Sequence, residues 1–250
     1  MTKIILSGCA GHMGRVITAL ANGRDDVEIV AGIDLNTEAG LGYPIYKNIT
    51  EVNEKADAVI DFSHVSVLES ILAYGAEHTD TALVLCTTGY SPEQVEAVKK
   101  ASETSPVFYS RNMSLGINLI IELAKKATAV LGDQFDIEII EKHHNQKIDA
   151  PSGTALMIAD AIADVREGES VYTYDRHAVR KKREKSEIGI SAVRGGTIVG
   201  EHEVIFAGNN EVITLSHSAQ SKDLFASGAV NAAVFMTGKP AGLYDMSAMI

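Results

Sequence analysis

Cysteine is nearly absent from this chain: 250 residues hold two, Cys9 and Cys86. Two isolated cysteines make neither a disulfide framework nor the paired spacing of a zinc site, and such a chain suits a reducing compartment. Basic charge is in deficit. Twenty-two Lys and Arg stand against 33 Asp and Glu, for a formal net charge of −11. An acidic field repels the phosphates of nucleic acid and anionic membrane surfaces, so neither is an expected partner. Long apolar runs are also missing. Ile4-Ile5-Leu6 is too short for a secretory signal or a membrane span, and a cytoplasmic location is expected. No internal repeat or low-complexity segment is visible. The one pair of adjacent histidines, His143 and His144, has no convincing third ligand nearby, so no metal is expected.

Apolar residues, by contrast, make up 46% of the chain, enough for a sizeable core in one large or two modest domains. The first part alternates. Ile4-Ile5-Leu6 reads as a buried parallel strand, Gly8-Cys9-Ala10-Gly11-His12-Met13-Gly14 as a glycine turn, and residues 15–20 as a helix. Strand, glycine turn and helix is the setting of a dinucleotide-binding loop, where glycine lets the backbone approach a pyrophosphate and the helix N-terminus favours its charge. The spacing is G-x-x-G-x-x-G; without a ligand it would be simply a tight turn. A second strand, residues 27–33, ends at Asp34, where an acid that binds ribose hydroxyls is expected.

Further strands are predicted at 58–62, 82–86 and 106–109, with a helix over 65–76 and another starting at Pro92. Repeated βα units imply a parallel sheet with helices on both faces and ligands beyond the strands' C-terminal ends. Asp34, Thr87-Thr88 and Ser110-Arg111-Asn112-Met113 all fall at such ends. Neither cysteine has an activating base nearby in sequence, so a small packed residue is the better reading of each than a nucleophile.

A long helix follows over 114–131, with an apolar stripe of Leu115, Leu119, Leu123, Ala127 and Val130. Beyond residue 136 the character changes. The apolar run 135–140 reads as a buried strand. It leads into Glu141-Lys142-His143-His144-Asn145-Gln146-Lys147-Ile148-Asp149-Ala150-Pro151-Ser152-Gly153-Thr154, and Ala155, Ile158, Ala159, Ile162 and Ala163 then mark one helix face. This places two histidines and a lysine in a strand-to-helix loop, with Pro151 and Ser152 at the helix start. Gly153 and Thr154 offer free backbone N–H groups that attract anions. A proton donor, a cation and an anion cradle in one loop suit a small carboxylate, although adjacent histidines and a Pro-Ser-Gly-Thr cap are often no more than solvated loop. Residues 166–185 read as a polar loop whose basic run, 180–185, is solvated and assigned no ligand. Three strands at 188–193, 198–206 and 211–217, with a hairpin turn at Gly208-Asn209-Asn210, indicate a mixed or antiparallel sheet. A mostly apolar helix, 224–236, must be buried on the first domain or at an interface. The expected fold class is therefore α/β: a Rossmann-type parallel-sheet domain with a second, α+β domain of a different kind.

With both ends in view, nearly the whole chain resembles the 4-hydroxy-tetrahydrodipicolinate reductase (dihydrodipicolinate reductase) family of bacterial lysine and diaminopimelate synthesis. Residues 8–15 resemble its GxxGxMGR loop and Asp61-Phe62-Ser63 its DFS segment. Cys86-Thr87-Thr88-Gly89 resembles its GTTG, with cysteine for the first glycine. Residues 112–118 resemble NFSxGVN, with methionine for phenylalanine, and residues 141–155 resemble ExHHxxKxDAPSGTA. The resemblance implies that His143 is the catalytic proton donor and acceptor and Lys147 a second proton donor. It also implies that His144, Gly153 and Thr154 bind substrate. Gly8, Cys9, Ala10, Gly11, His12, Met13, Asp34, Cys86, Thr87, Thr88, Ser110, Arg111, Asn112 and Met113 would line NADH or NADPH, with NADH expected to serve at least as well. It implies a dinucleotide-binding domain over 1–114 and 219–250 and a domain over 115–218 for substrate binding and homotetramer formation. Two rival readings use the same residues: another nicotinamide-dependent dehydrogenase of a small carboxylate, and a non-catalytic NAD(H) sensor. The sensor would have no need of His143 and Lys147.

Overall fold

The computed structural model describes residues 1–250. The chain forms two compact units, Met1–Ser114 with Asp223–Ile250, and Leu115–Lys222.

The first unit contains β1 (Thr2–Ser7), α1 (His12–Asn22), β2 (Val27–Ile33), β3 (Ile45–Tyr46), β4 (Ala58–Asp61), α2 (Leu68–Glu77), β5 (Ala82–Leu85), α3 (Pro92–Ala101) and β6 (Pro106–Tyr109). The second unit contains α4 (Leu115–Leu131), β7 (Asp136–His143), α5 (Gly153–Val165), β8 (Val171–Thr173), β9 (Glu187–Arg194), β10 (Gly200–Ala207) and β11 (Val212–Ala219). The chain then returns to the first unit with α6 (Asp223–Met236) and β12 (Gly242–Tyr244). The return falls after Lys222 rather than at 219, because Ala219 still pairs with Gly200 in the second unit's sheet.

All seven strands of the first unit are parallel, in the order β12-β6-β5-β4-β1-β2-β3. Strand residues are apolar at consecutive positions because both faces of the sheet are covered. Ile4, Leu6, Ala58, Ile60, Val84 and Phe108 point to one face and pack with α1 and α6 residues such as Ile17, Ala229 and Ala233. The alternate set, Ile5, Val59, Leu83, Leu85 and Val107, points to the other and packs with Leu68, Ile71 and Tyr74 of α2 and Val98 of α3. The apolar helix α6 is thus buried within the first unit. Its Gly228 lies so close to the chain at Met113 that an added Cβ would sit 1.8 Å from the Met113 carbonyl oxygen. The short edge strands β3 and β12 carry too few residues to show a period and are not legible in the sequence.

The second unit's sheet is mixed, in the order β11-β10-β7-β9-β8. β7 pairs parallel with β9 and antiparallel with β10, which forms the expected hairpin with β11. Asn210 takes φ +69° in that turn. Helices cover only one face of this sheet. Ile137, Ile139, Ile188, Ile190, Val204 and Phe206 pack under Ile117, Ile120, Ile121 and Ala124 of α4 and Ile158, Ala159 and Ile162 of α5. The run at 135–140 is accordingly a strand that alternates between buried and half-buried, not one buried on both faces.

Two expectations change here. The leucine stripe of α4 is the exposed one, with Leu115, Leu119 and Leu123 each 43–44% exposed and Val130 70%. α4 is apolar around most of its circumference, so the sequence offers two stripes and the isoleucine one faces the sheet. The segment 166–185 is not a plain polar loop either. It contributes β8, and its Arg183 is mostly buried, donating to Asp136, Glu138 and the carbonyls of Ile137 and Glu187. Arg176 joins it on Glu138.

Candidate functional site

In the first unit the predicted cofactor residues gather at the carboxyl ends of the strands. Gly8 follows β1 with φ +78°, and a Cβ there would lie 2.4 Å from the Phe62 carbonyl oxygen. Only glycine fits. Gly14 closes the turn, since its own Cβ would meet the carbonyls of Gly8 and Cys9 at 2.3 and 2.4 Å. Between them Gly11 caps α1 with no side-chain bond, and His12 and Met13 form the helix's first turn. The carboxylate of Asp34, one residue past β2, takes the Ala10 N–H at 3.0 Å and the Asn36 N–H at 3.0 Å. Arg15 hangs from the same residue, its Nε donating to the Ala10 carbonyl at 3.1 Å.

The ends of β4 and β5 are tied together by Asp61, which is fully buried. It accepts from Thr87 Oγ1 at 2.7 Å and from Ser63 Oγ, while Ser63 N–H donates to Thr87 Oγ1 at 3.0 Å. Thr88 beyond them is exposed. After β6, Ser110 Oγ donates to the Asn112 carbonyl at 3.0 Å and Asn112 Oδ1 accepts from Ser114 N–H at 2.9 Å, with Met113 buried and Arg111 exposed. Cys9 and Cys86 are both buried. Burial first, then Asp34, pushes the Cys9 thiol up to about 11. Burial and Asp61 push Cys86 upward too. Both stay protonated near neutral pH, which suits packing rather than nucleophilic chemistry.

In the second unit, His143 is the last residue of β7 rather than part of the loop; His144 and Lys147 are in the loop. Strand alternation sets Glu141 on the same face as His143, and both are buried. His143 Nδ1 lies 2.6 Å from Glu141 Oε2. Arg194, brought in by the pairing of β9 with β7, holds both oxygens of that carboxylate at 2.7 Å. Burial opposes the charged form of Glu141, yet Arg194, His143 and the Ser152 N–H together hold its pKa below the ordinary range. An ionised carboxylate only accepts, so the His143 proton sits on Nδ1 and Nε2 is free. Gly200 leaves room for that ring: a Cβ there would lie 3.1 Å from Nε2.

Ser152 is the N-cap of α5, accepting from Ala155 N–H at 3.1 Å, and the cis-bonded Pro151 precedes it instead of starting the helix. Ser152 Oγ also meets His202 Nε2 at 3.0 Å. His202, from β10, stands edge-on to His143 with ring centroids 5.2 Å apart. Gly153 opens the helix with nothing within 4 Å of an added Cβ, and Thr154 follows it in the first turn. Lys147 Nζ pairs with Asp149 at 2.8 Å, and that pairing, with the Gly153 N–H contributing, keeps the Asp149 carboxyl below its usual range. The His144 carbonyl accepts the Lys147 N–H at 3.2 Å and closes the turn.

The structure thus gathers His143, the α5 start and the Lys147–Asp149 pair around one strand end. Glu141, Ser152, Arg194, Gly200 and His202 are part of the same arrangement but were not among the predicted site residues. Glu141 carries a sequence signal, the two-residue step to His143 on a strand. Arg194 and His202 carry none without the sheet register.

Residues 2–113 match the family described as "Dihydrodipicolinate reductase, N-terminus", and residues 116–250 match "Dihydrodipicolinate reductase, C-terminus". A 4-hydroxy-tetrahydrodipicolinate reductase of Clostridium novyi is 52% identical over 250 residues, covering 100% of this chain and 98% of the relative. One from Caldanaerobacter subterraneus subsp. tengcongensis is 51% identical, with 100% and 98% covered. Among solved structures, a dipicolinate-bound dihydrodipicolinate reductase from Paenisporosarcina sp. TG-14 superposes with a TM-score of 0.83 at 25% identity, covering 100% of both chains. A myo-inositol dehydrogenase from Corynebacterium glutamicum, at 14% identity and a TM-score of 0.58 over 96% of this chain and 90% of that one, shares the fold alone. Matched in order along both halves, the chain belongs to the dihydrodipicolinate reductase family.

Proposed function

We propose that this family member reduces 4-hydroxy-tetrahydrodipicolinate to tetrahydrodipicolinate, with loss of water, in lysine and diaminopimelate synthesis, with His143 as the catalytic proton donor and acceptor and Lys147 as a second proton donor. The observation that carries this reading is the fixed state of His143, its Nδ1 held 2.6 Å from a buried carboxylate. Such an imidazole presents one free nitrogen in a fixed direction and can pass a proton through it.

The first unit fits a nicotinamide dinucleotide. Gly8 lets the loop turn tightly against the Phe62 carbonyl where a Cβ would not fit, the start of α1 has no side-chain cap, and Asp34 is anchored beside the loop. In this reading Gly8 to Met13, Asp34, Cys86 to Thr88 and Ser110 to Met113 hold the cofactor, which supplies hydride when bound. The second unit supplies the acid and the anion cradle. His144, Gly153 and Thr154 hold the dicarboxylate, and Lys147 adds a cation that Asp149 engages until substrate competes for it.

A cytoplasmic homotetramer completes the reading. No helix is long and apolar enough to cross a membrane. The second unit's sheet has one face covered by helices; its other face carries Ile140 and Ile205 among polar residues, and such a sheet invites association. Light scattering that finds a monomer at micromolar concentration overturns the tetramer.

The test of the chemistry is turnover of the dihydrodipicolinate synthase product by His143→Ala and Lys147→Ala. Each is expected to lower kcat by about a hundredfold or more, the scale of a lost general acid. Near-normal rates in both folded variants would remove the chemistry from the end of β7 and the loop after it, and revive the sensor or another dehydrogenase.

A further inference from the structure

Behind His143 lies an acid that is fully buried and still joins the two working parts of the second unit. Glu141 Oε2 accepts from His143 Nδ1 at 2.6 Å and from Arg194 Nη1 at 2.7 Å. Its Oε1 accepts from Arg194 Nη2 at 2.7 Å and from Ser152 N–H at 2.9 Å. These four bonds occupy the four lone-pair sites of a carboxylate, and three kinds of partner fix its plane. Arg194 is itself held, donating to the carbonyls of Asp149 at 2.6 Å and Val193 at 2.8 Å. Ser152 passes the restraint on, since the residue that gives its N–H to Glu141 also caps α5 through Oγ. Burying a carboxylate costs desolvation that these bonds offset, so losing one bond disturbs both ends.

We propose that Glu141, clamped by Arg194, is a positioning residue: through Oε2 it fixes the proton-bearing side and direction of the His143 ring, and through Oε1 it fixes the start of the helix whose Gly153 and Thr154 hold the substrate's carboxylate. One side chain thereby sets the spacing between acid and cradle. Glu141 touches neither substrate nor cofactor and acts through its two partners. The inference rests on the reading of His143 as the proton donor.

Glu141→Gln keeps the volume but replaces one acceptor oxygen with an N–H₂ group, which must face a donor on His143, Arg194 or Ser152. The experiment is a double-mutant cycle with steady-state kinetics. With His143 present, Glu141→Gln is expected to lower kcat by roughly ten- to a hundredfold, as expected when the carboxylate that orients a working histidine is lost. The KM for substrate rises as well, while NADH affinity, read by fluorescence titration, stays constant. In a His143→Ala background the same substitution lowers kcat by less than about twofold but still raises KM, because the link to α5 does not run through His143. A scaffold role alone predicts equal kcat losses in the two backgrounds, and that result overturns the proposal. Should Glu141→Gln fail to fold, Arg194→Lys carries the same cycle. It keeps the charge and loses the two-pronged grip, and its kcat loss must likewise vanish without His143. If His143→Ala alone keeps a normal rate, the reading of the loop falls and this proposal falls with it.

Discussion

The two units build their candidate sites from different materials. In the first, the site is mostly backbone: Gly8 packs against the Phe62 carbonyl, Gly14 against the carbonyls of Gly8 and Cys9, and Gly228 against Met113. In the second it is side chains, a buried Glu141 with Arg194, His143, Ser152 and His202 arranged about it. A backbone site is broken by adding an atom where none fits. A side-chain site is broken by removing a charge or a bond, and it tolerates a methyl group wherever space is open.

The sharpest way to break this contrast is to make one change in both places. Gly8→Ala puts a Cβ 2.4 Å from a carbonyl oxygen on a residue with φ +78°. Left-handed backbone costs an ordinary residue about 1–2 kcal/mol and overpacking about 1–3 more, so a loss of about 3–4 kcal/mol in unfolding free energy is expected, with cofactor affinity falling alongside. Gly153→Ala meets nothing within 4 Å. Alanine is about 1 kcal/mol the better helix former in a helix interior, so at the first position of α5 stability is expected to hold or rise slightly. Urea melts and NADH titrations of both variants decide. Equal damage at the two glycines would erase the distinction.

The same distinction explains what the sequence could disclose. The glycine loop, Asp34 and the βα alternation were legible because each is local: a few neighbouring residues impose a turn or a face. The helix start at Ser152 was legible for the same reason. The environment of His143 was not, because Arg194 lies 53 residues from Glu141 and His202 50 residues from Ser152, and only the register of β7 with β9 and β10 brings them in. Apolar content also hid a choice. α4 carries two apolar stripes, and nothing short of the isoleucines of β7 and β9 beneath it says which one packs. β8 was lost in a segment whose charges pair with Glu138 and Glu187.

The side-chain site should also carry a pH signature that a backbone site lacks. Burial, followed by the charge of His143, pushes His202 down from its ordinary 6.5 to about 4, although Glu141 pulls the other way. His217 and Lys147 add smaller effects in the same downward direction. The unfolded chain binds this proton below about pH 6.5 and the folded chain only below about pH 4, so in between the unfolded state holds more protons. Stability from this group is therefore complete above pH 6.5, falls as pH drops toward 4, and levels off below. The span is worth about 3 kcal/mol. His202→Gln, which does not titrate, is expected to flatten that limb in urea melts taken from pH 7 to pH 4. Parallel curves for the two proteins would show that His202 is not held neutral.

The smallest effect tests whether any side chain matters at the backbone site, and Asp34 is where it would. Its carboxylate is fixed by the Ala10 and Asn36 N–H groups at 3.0 Å each, which uses one lone-pair site on each oxygen and leaves the others open, where the proposed reading puts the ribose hydroxyls. A 2′-phosphate placed there meets a fixed negative charge. Leu35 beside it is 86% exposed and carries no charge to offset that repulsion. Arg15 is tied to the Ala10 carbonyl at 3.1 Å, and that tether puts one cation near the same loop. These oppose one another, so NADH is expected to serve at least as well as NADPH, with a modest ratio of kcat/KM. Leu35→Arg adds an exposed cation whose attraction is screened by salt, worth about 1 kcal/mol or less, and should move the ratio severalfold toward NADPH. The shift should shrink as ionic strength rises, whereas a change in loop shape would ignore salt. A strong NADPH preference in the unmodified chain would mean that Arg15 outweighs Asp34. An unmoved ratio in Leu35→Arg would mean that residue 35 faces away from the ribose, and that the proposed backbone site, not this side chain, sets the discrimination.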